Sequence, residues 1–147
     1  MTAKSEEGIR QPCLLAWLRL ARVFHHIDRA SADQMRQFGL TIAQFDVLAH
    51  VGAAEGITQQ ELADSLLVTK GNVCQLLDRM ESNDLIVRRQ CGRANFLSLT
   101  QKGRDLYQKI VPAHEELVAR QFDSLSLDEQ RQLWQLVRRL DRNLSAG

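Results

Sequence analysis

The chain has 147 residues, of which 44% are hydrophobic and 25% are charged, which fits one soluble globular domain with a substantial core. Its formal net charge of +1 excludes a global attraction to nucleic acid, so any nucleic-acid site must be local. The first eleven residues are polar and no apolar run approaches a membrane span, so we expect a cytoplasmic protein. The three cysteines are too few and too widely spaced for a disulfide framework or a zinc site: Cys13, Cys74 and Cys91.

The first predicted element is a long helix over about residues 12–38. Pro12 lies in its first turn, where a missing backbone amide is tolerated. The apolar residues that recur there at spacings of three and four are Leu14, Trp17, Ala21 and Phe24. Further apolar residues widen this side, which is typical of a helix that contacts more than one neighbour.

Two capping boxes predict where the next helices begin. In a capping box, the side chains of the first and fourth residues bond each other's backbone amides. Thr41 and Gln44 fit this pattern before a helix that we expect to end near Gly52, and Thr58 and Glu61 fit it before a short helix. The residues expected to face inward in these helices are Ile42, Phe45, Leu48, Val51, Leu62, Ala63 and Leu66.

A further helix is predicted to begin at the candidate N-cap Thr69. Its buried stripe, identified by helical spacing, is expected to be Val73, Leu76, Leu77 and Met80, with Cys74 beside it in the core. The residues left facing outward are Lys70, Asn72, Gln75, Arg79 and Ser82. Asn and Gln can bond adenine in the major groove, and Arg and Lys can bond guanine. The helix pair therefore fits a base-recognition unit, although an ordinary helical hairpin with a solvated side remains an alternative.

The segment after this helix favours nucleic-acid binding. Residues 85–87 predict a strand, residues 91–95 a turn, and residues 96–99 a returning strand. Between Ile86 and Arg104 there are five Lys or Arg and no Asp or Glu. A basic hairpin beside a polar helix can contact phosphates while the helix recognises bases.

The C-terminal part of the chain predicts two more helices. Thr100 begins a long one, and Pro112 inside it should produce a kink. Ser126 and Glu129 form a capping box for the last helix. Together with the first helix, these helices carry more apolar surface than the central unit can cover, which predicts a two-fold dimer. The alternative is a monomer whose terminal helices cover each other.

Four segments together resemble the MarR family of bacterial winged-helix regulators over about residues 12–145. They are Leu40-Thr41 with Gln44-Phe45, Thr58-x-x-Glu61-Leu62-Ala63, Met80-Glu81 through Leu85-Ile86-x-Arg88, and Leu99-Thr100-x-x-Gly103. The resemblance implies a mainly α-helical fold with a small β-wing. It implies one domain over residues 1–147, with a winged helix-turn-helix at 41–100 flanked by dimerisation helices at 12–38 and 101–145.

The function that the resemblance implies is that of a homodimeric, sequence-specific transcriptional regulator, a repressor that binds palindromic double-stranded DNA without a cofactor. The expected DNA contacts, taken with the outward face and the basic hairpin, are Thr69, Lys70, Gly71, Asn72, Gln75, Arg79, Arg88, Arg89 and Arg93. Two positions depart from the family pattern. Asp84 replaces a glycine that closes the recognition helix, and the wing retains Arg93 without its usual Asp.

The resemblance also implies an effector, either a small aromatic or phenolic ligand or an oxidant. Cys13 matches the reactive cysteine of the family's peroxide-sensing branch, and a helix N-terminus favours thiolate. That branch has tyrosines where this chain has Trp17, Ile27 and Ile42. An aromatic acid would bind against Trp17 or Phe45.

Two other classes of function compete with DNA binding. A winged-helix protein-interaction module would use its basic wing to bind an acidic partner. Substitutions of Asn72, Gln75 and Arg79 distinguish the two, because only base recognition predicts that they reduce the preference for a DNA sequence. An enzyme ranks last, since the sequence has no phosphate-binding loop, metal-ligand cluster or nucleophile motif. The four histidines lack zinc-ligand spacing.

Overall fold

A computed structural model describes residues 11–66 and 70–147. Within these residues it contains six α-helices and one antiparallel β-hairpin, which confirms the predicted mainly α-helical fold with a small β-wing. The elements are α1 (Pro12–Gln37), α2 (Ile42–Ala53), α3 (Gln59–Leu66), α4 (Lys70–Ser82), β1 (Ile86–Cys91), β2 (Ala94–Leu99), α5 (Gln101–Gln121) and α6 (Leu127–Ser145). No helix in the described part of the chain is long and apolar enough to span a membrane.

The three capping boxes predicted from the sequence all form. At the start of α2, Gln44 N donates to Thr41 Oγ1 over 3.1 Å, and Thr41 N donates to Gln44 Oε1 over 3.0 Å. The same reciprocal pair of bonds precedes α3, between Thr58 and Glu61. Ser126 and Glu129 repeat it before α6. Each box satisfies amides that the first helical turn leaves without a partner, so these helix starts are determined by local sequence.

The described residues divide into two compact units, one extending to His114 and the other formed by Glu115–Gly147. In the first unit, one hydrophobic core joins the end of α1, α2, α3, α4, the hairpin and the first part of α5. Its largest completely buried side chains are Met35, Leu48, Leu62, Leu77, Met80, Ile86, Leu97 and Ile110. The core therefore fixes α4 and the hairpin against the same set of helices.

The chain leaves α4 through a left-handed residue. Asp84 has a φ of 58°, the conformation in which glycine usually ends a helix, and Asp tolerates it better than most residues. The hydroxyl of Thr100 donates to Asp84 O over 2.6 Å and accepts from Gly103 N over 2.9 Å. Thr100 thus joins the end of α4 to the start of α5, on either side of the hairpin.

The second unit contains the end of α5, a turn and α6. The side-chain amide of Gln130 closes the turn, donating to Phe122 O over 3.2 Å and to Leu125 O over 3.1 Å. None of the residues of α6 is buried. Its exposed apolar residues are Leu127, Trp134, Leu136, Val137, Leu140 and Leu144. In the first unit, α1 also exposes large apolar residues, namely Leu14, Trp17, Val23 and Phe24.

Candidate nucleic-acid interface

The helix α4 has one buried side and one exposed polar side. Val73, Leu77 and Met80 are completely buried, as the helical spacing predicts, and Leu76 packs at the edge of the core. Its exposed residues include the predicted outward-facing Asn72, Gln75, Arg79 and Ser82, and also the carboxylates of Asp78 and Glu81. Thr69, also predicted to contact DNA, lies outside the described residues, and the surroundings of Lys70 and Gly71, predicted for the same role, are not described. The described face has the hydrogen-bonding groups that can recognise base edges in a major groove.

The hairpin is longer than predicted, and its turn is tighter. The two strands pair from Ile86 with Leu99 to Cys91 with Ala94, so the prediction of a turn over residues 91–95 was wrong. Gly92 has a φ of 63°, which permits a two-residue turn between paired strands. The paired strands carry the turn residue Arg93 away from the core, at the tip of the hairpin.

Neighbouring arginines of β1 have different surroundings. Arg89 is exposed, as are Cys91 and Arg93 at the turn. The Arg88 side chain is only 21% exposed, and its Nη2 bonds the carboxylates of both Asp78 and Glu81 on α4. Burial lowers the pKa of Arg88, but the bonds and charges of these carboxylates outweigh burial, so its pKa is raised. Arg88 therefore stays positively charged and faces α4.

Two further basic residues near the hairpin also bond to protein groups. The Arg104 guanidinium donates to both carboxylate oxygens of Glu55, over 3.0 and 3.3 Å. Lys102 Nζ donates to Asn83 O over 3.0 Å. Three of the five basic residues between Ile86 and Arg104 therefore bond to protein groups. Arg89 and Arg93 on the hairpin are the exposed arginines best placed for phosphate contacts.

A groove of about 320 Å³ separates the start of α3, the exposed side of α4 and the hairpin. Cys74 lines it and is exposed, so the prediction that Cys74 belongs to the core was wrong. One helical position turns a side chain by about 100°, which is enough to carry Cys74 out of the stripe that contains Val73. Gln59, which sequence reasoning missed, donates to Cys74 Sγ over 2.9 Å and accepts from Asn95 over 3.5 Å.

The residues predicted for effector binding do not lie in a common environment. Cys13 and Trp17 are exposed on α1. Phe45 is only 5% exposed, and its ring packs 4.6 Å from that of His114. His114 Nε2 lies 3.0 Å from Ser31 Oγ. Phe45 is thus already covered by protein groups, and the described residues contain no cluster of three or more potential metal ligands.

A recognition helix that exposes polar groups beside a basic β-hairpin defines the class of winged helix-turn-helix DNA-binding proteins. The model of the MarR family matches residues 38–94. An uncharacterized HTH-type transcriptional regulator of Bacillus cereus is 33% identical over 130 residues, which cover 88% of each chain. The chain therefore belongs to the MarR family of DNA-binding transcriptional regulators, which confirms the resemblance carried by its four sequence segments.

Solved structures show the same fold. AbsC, a MarR family transcriptional regulator from Streptomyces coelicolor, superimposes with a TM-score of 0.86 at 23% identity, over 95% of this chain and 98% of AbsC. A MarR family regulator from Listeria monocytogenes, crystallised with a 26-mer DNA, gives a TM-score of 0.79 at 23% identity. That match covers 94% of this chain and 91% of the Listeria protein.

Proposed function

We propose that this regulator is a homodimeric repressor that recognises a palindromic DNA site through Asn72, Gln75 and Arg79. The observation that carries the proposal is the exposed polar face of α4, held by a buried stripe beside the exposed Arg89 and Arg93 of the hairpin. This arrangement separates base recognition by the helix from phosphate contacts by the hairpin. Occupancy of a promoter by such a dimer blocks polymerase.

Selection of bound duplexes from a random pool tests this proposal. A two-fold dimer should enrich an inverted repeat whose half-site centres lie roughly one DNA turn apart. Enrichment of a single half-site would contradict the dimeric mode. Pools without any enriched sequence would contradict base recognition and favour the protein-interaction alternative with an acidic partner.

The exposed apolar faces of the terminal helices support a dimer. On α6, Trp134 is 58% exposed and Leu140 is 51% exposed, and on α1, Phe24 is 70% exposed. Several large apolar side chains exposed on one helix are typical of an interaction site. The simplest occupant is a second copy of the same helices, as proposed for residues 12–38 and 101–145.

Replacing Leu140 by Asp should convert the dimer into a monomer. A two-fold interface contains the position twice, so two unpaired carboxylates would be buried in an apolar contact. We expect the dimer dissociation constant to rise at least about 100-fold, measured by sedimentation equilibrium. Gln135→Asp adds the same charge at a position about 140° around the helix from Leu140. It should leave the molecular mass of the dimer in solution unchanged. An unchanged dimer in Leu140→Asp would contradict this interface.

We propose that the effector is either a small aromatic or phenolic ligand or an oxidant that acts on Cys13. Cys13 is exposed in the first turn of α1, and its Sγ lies 3.9 Å from Gln11 Oε1. Exposure and a helix N-terminus both favour reaction of a thiolate with a peroxide. The thiolate would attack the terminal peroxide oxygen and break the O–O bond, giving a sulfenic acid at Cys13 and an alkoxide that takes a proton from water and leaves as an alcohol.

Cys13→Ser should therefore abolish any effect of an organic hydroperoxide on DNA binding. In the wild-type protein, cumene hydroperoxide is expected to weaken operator binding about tenfold, a change that anisotropy measures directly. Cys91→Ser is the matched control, because Cys91 is also exposed, and it should keep the wild-type response. Loss of the response in Cys91→Ser alone, or an unresponsive wild-type protein, would contradict the role of Cys13 and leave the ligand as the effector.

A further inference from the structure

Arg88 joins the first strand of the hairpin to the recognition helix through its side chain and its backbone. Its guanidinium bonds the carboxylates of Asp78 and Glu81, the latter over 3.2 Å. Its backbone N also donates to Glu81 Oε2 over 3.2 Å. Glu81 therefore receives two bonds from one residue of β1, and Asp78, one helical turn earlier, receives a third.

A second link joins the same helix to the other strand. Gln59 donates to Cys74 on α4 and accepts from Asn95 on β2. The hairpin is thus held near the middle of α4 by a neutral network and near its end by an ionic one. Since isolated two-stranded hairpins are marginally stable, such links determine where the hairpin lies beside the helix.

The charges of the ionic link are unusual for a surface that approaches DNA. Asp78 and Glu81 belong to the helix whose exposed face is polar and partly basic, and their side chains remain 62% and 43% exposed. Carboxylates near phosphates weaken binding by like-charge repulsion. Their presence on α4 is therefore explained by the bonds that they accept from Arg88.

We propose that Arg88 is a positioning residue, which fixes the hairpin relative to α4. The hairpin can then contact phosphates while α4 contacts bases of the same DNA site. This role rests on the proposed DNA-binding function, and it differs from a direct phosphate contact by Arg88. Successive strand residues point to opposite faces, so Arg89 is left to face outward while Arg88 bonds α4.

The Asp78→Asn substitution distinguishes two roles of Asp78, because they predict opposite changes in DNA affinity. If Asp78 only adds negative charge near DNA, its neutralisation should tighten binding. If it anchors Arg88, we expect cognate binding to weaken about fivefold while random-duplex binding changes less, because a shifted hairpin disturbs the simultaneous contacts with phosphates and bases. Asp64→Asn is the matched control, since Asp64 is an exposed carboxylate on α3 bonded by Gln60. Unchanged or tighter cognate binding in Asp78→Asn would overturn the proposal.

Substitutions of Arg88 itself separate positioning from phosphate contact. Arg88→Lys keeps the charge but replaces the planar, forked donor that bonds both carboxylates. We expect it to weaken cognate binding about as much as Asp78→Asn, with an unchanged dependence of affinity on salt. An Arg88→Lys variant that binds like the wild-type protein would show a direct phosphate contact instead. So would an Arg88→Ala variant whose slope of log affinity against log salt falls by about one.

Hydrogen exchange of the free protein tests the link without DNA. In Asp78→Asn, the amides of β1 and β2 should exchange about fivefold faster than in the wild-type protein, and those of α2 should not change. Unchanged exchange in the hairpin would overturn the link itself. A wild-type protein that does not distinguish cognate from random DNA would instead overturn the proposed function, whatever the exchange result.

Discussion

Replacing Gly103 by Ala should destabilise the protein by about 3 kcal/mol. Gly103 is buried in the first turn of α5, and an added Cβ would lie 2.0 Å from Leu85 O and 3.0 Å from Leu85 C. Both atoms belong to the backbone at the start of the hairpin. Leu85 O also accepts from Thr100 N over 3.1 Å, so relief of the clash would break the junction that Thr100 forms.

Urea denaturation followed by circular dichroism measures this loss. Helix propensity alone gives the opposite sign, because Ala is favoured over Gly within helices by about 1 kcal/mol. Gln108→Ala, at an exposed position of the same helix, controls for propensity and should change stability little. A Gly103→Ala protein as stable as the wild type would contradict the close contact between α5 and the start of the hairpin.

Replacing Gln75 by Ala should cost about 1 to 3 kcal/mol at the cognate operator and little on random DNA. Gln75 is exposed on α4, one turn after Asn72 and one turn before Arg79, and its amide can bond two groups of one base. Loss of those bonds relaxes the preference at that base pair. Competition binding with single-substituted operators measures both the loss and the position at which it occurs.

Arg89→Ala and Arg93→Ala should behave differently from Gln75→Ala. Both arginines are exposed on the hairpin, so we expect each substitution to weaken binding to cognate and random DNA alike. Each should also reduce the slope of log affinity against log salt by about one. Equal effects of all three substitutions on cognate and random DNA would contradict the division between base recognition and phosphate contact.

The parts of the fold that the sequence predicts are those with local causes. Each capping box spans four residues, and the buried stripe of Val73, Leu77 and Met80 follows from helical spacing. The left-handed residue Asp84 stands where the family resemblance implies a glycine that closes the helix. In each case, the interacting groups are close in the sequence, so the pattern is sufficient.

The interactions that the sequence could not predict join distant segments. The count of basic residues between Ile86 and Arg104 includes Arg88, whose carboxylate partners lie on α4, and Arg104, whose partner Glu55 follows α2. A window along the chain does not contain these partners and therefore overstates the free positive charge. The same limit applies to Gly103: its spacing after Leu99-Thr100 was recognised, but its contact with Leu85 is visible only in the folded chain.

The wrong prediction that Cys74 is buried has a different cause. The position of Cys74 beside the apolar stripe predicts a core residue, but the residue after a buried one lies about 100° around the helix. Its bond to Gln59 depends on the packing of α3 against α4, which periodicity does not describe. The sequence pattern therefore predicts α4 and its exposed polar side but not the groove beside it.

Fluorescence anisotropy tests the central claim of sequence-specific DNA recognition most directly. The purified protein is titrated into a labelled duplex selected from the random pool and into a scrambled duplex of the same composition, each at two salt concentrations. We expect the selected duplex to bind at least about 1,000-fold more tightly at physiological salt, and the scrambled one to lose most of its affinity as salt rises. Equal affinity for both duplexes at both salt concentrations would contradict the claim.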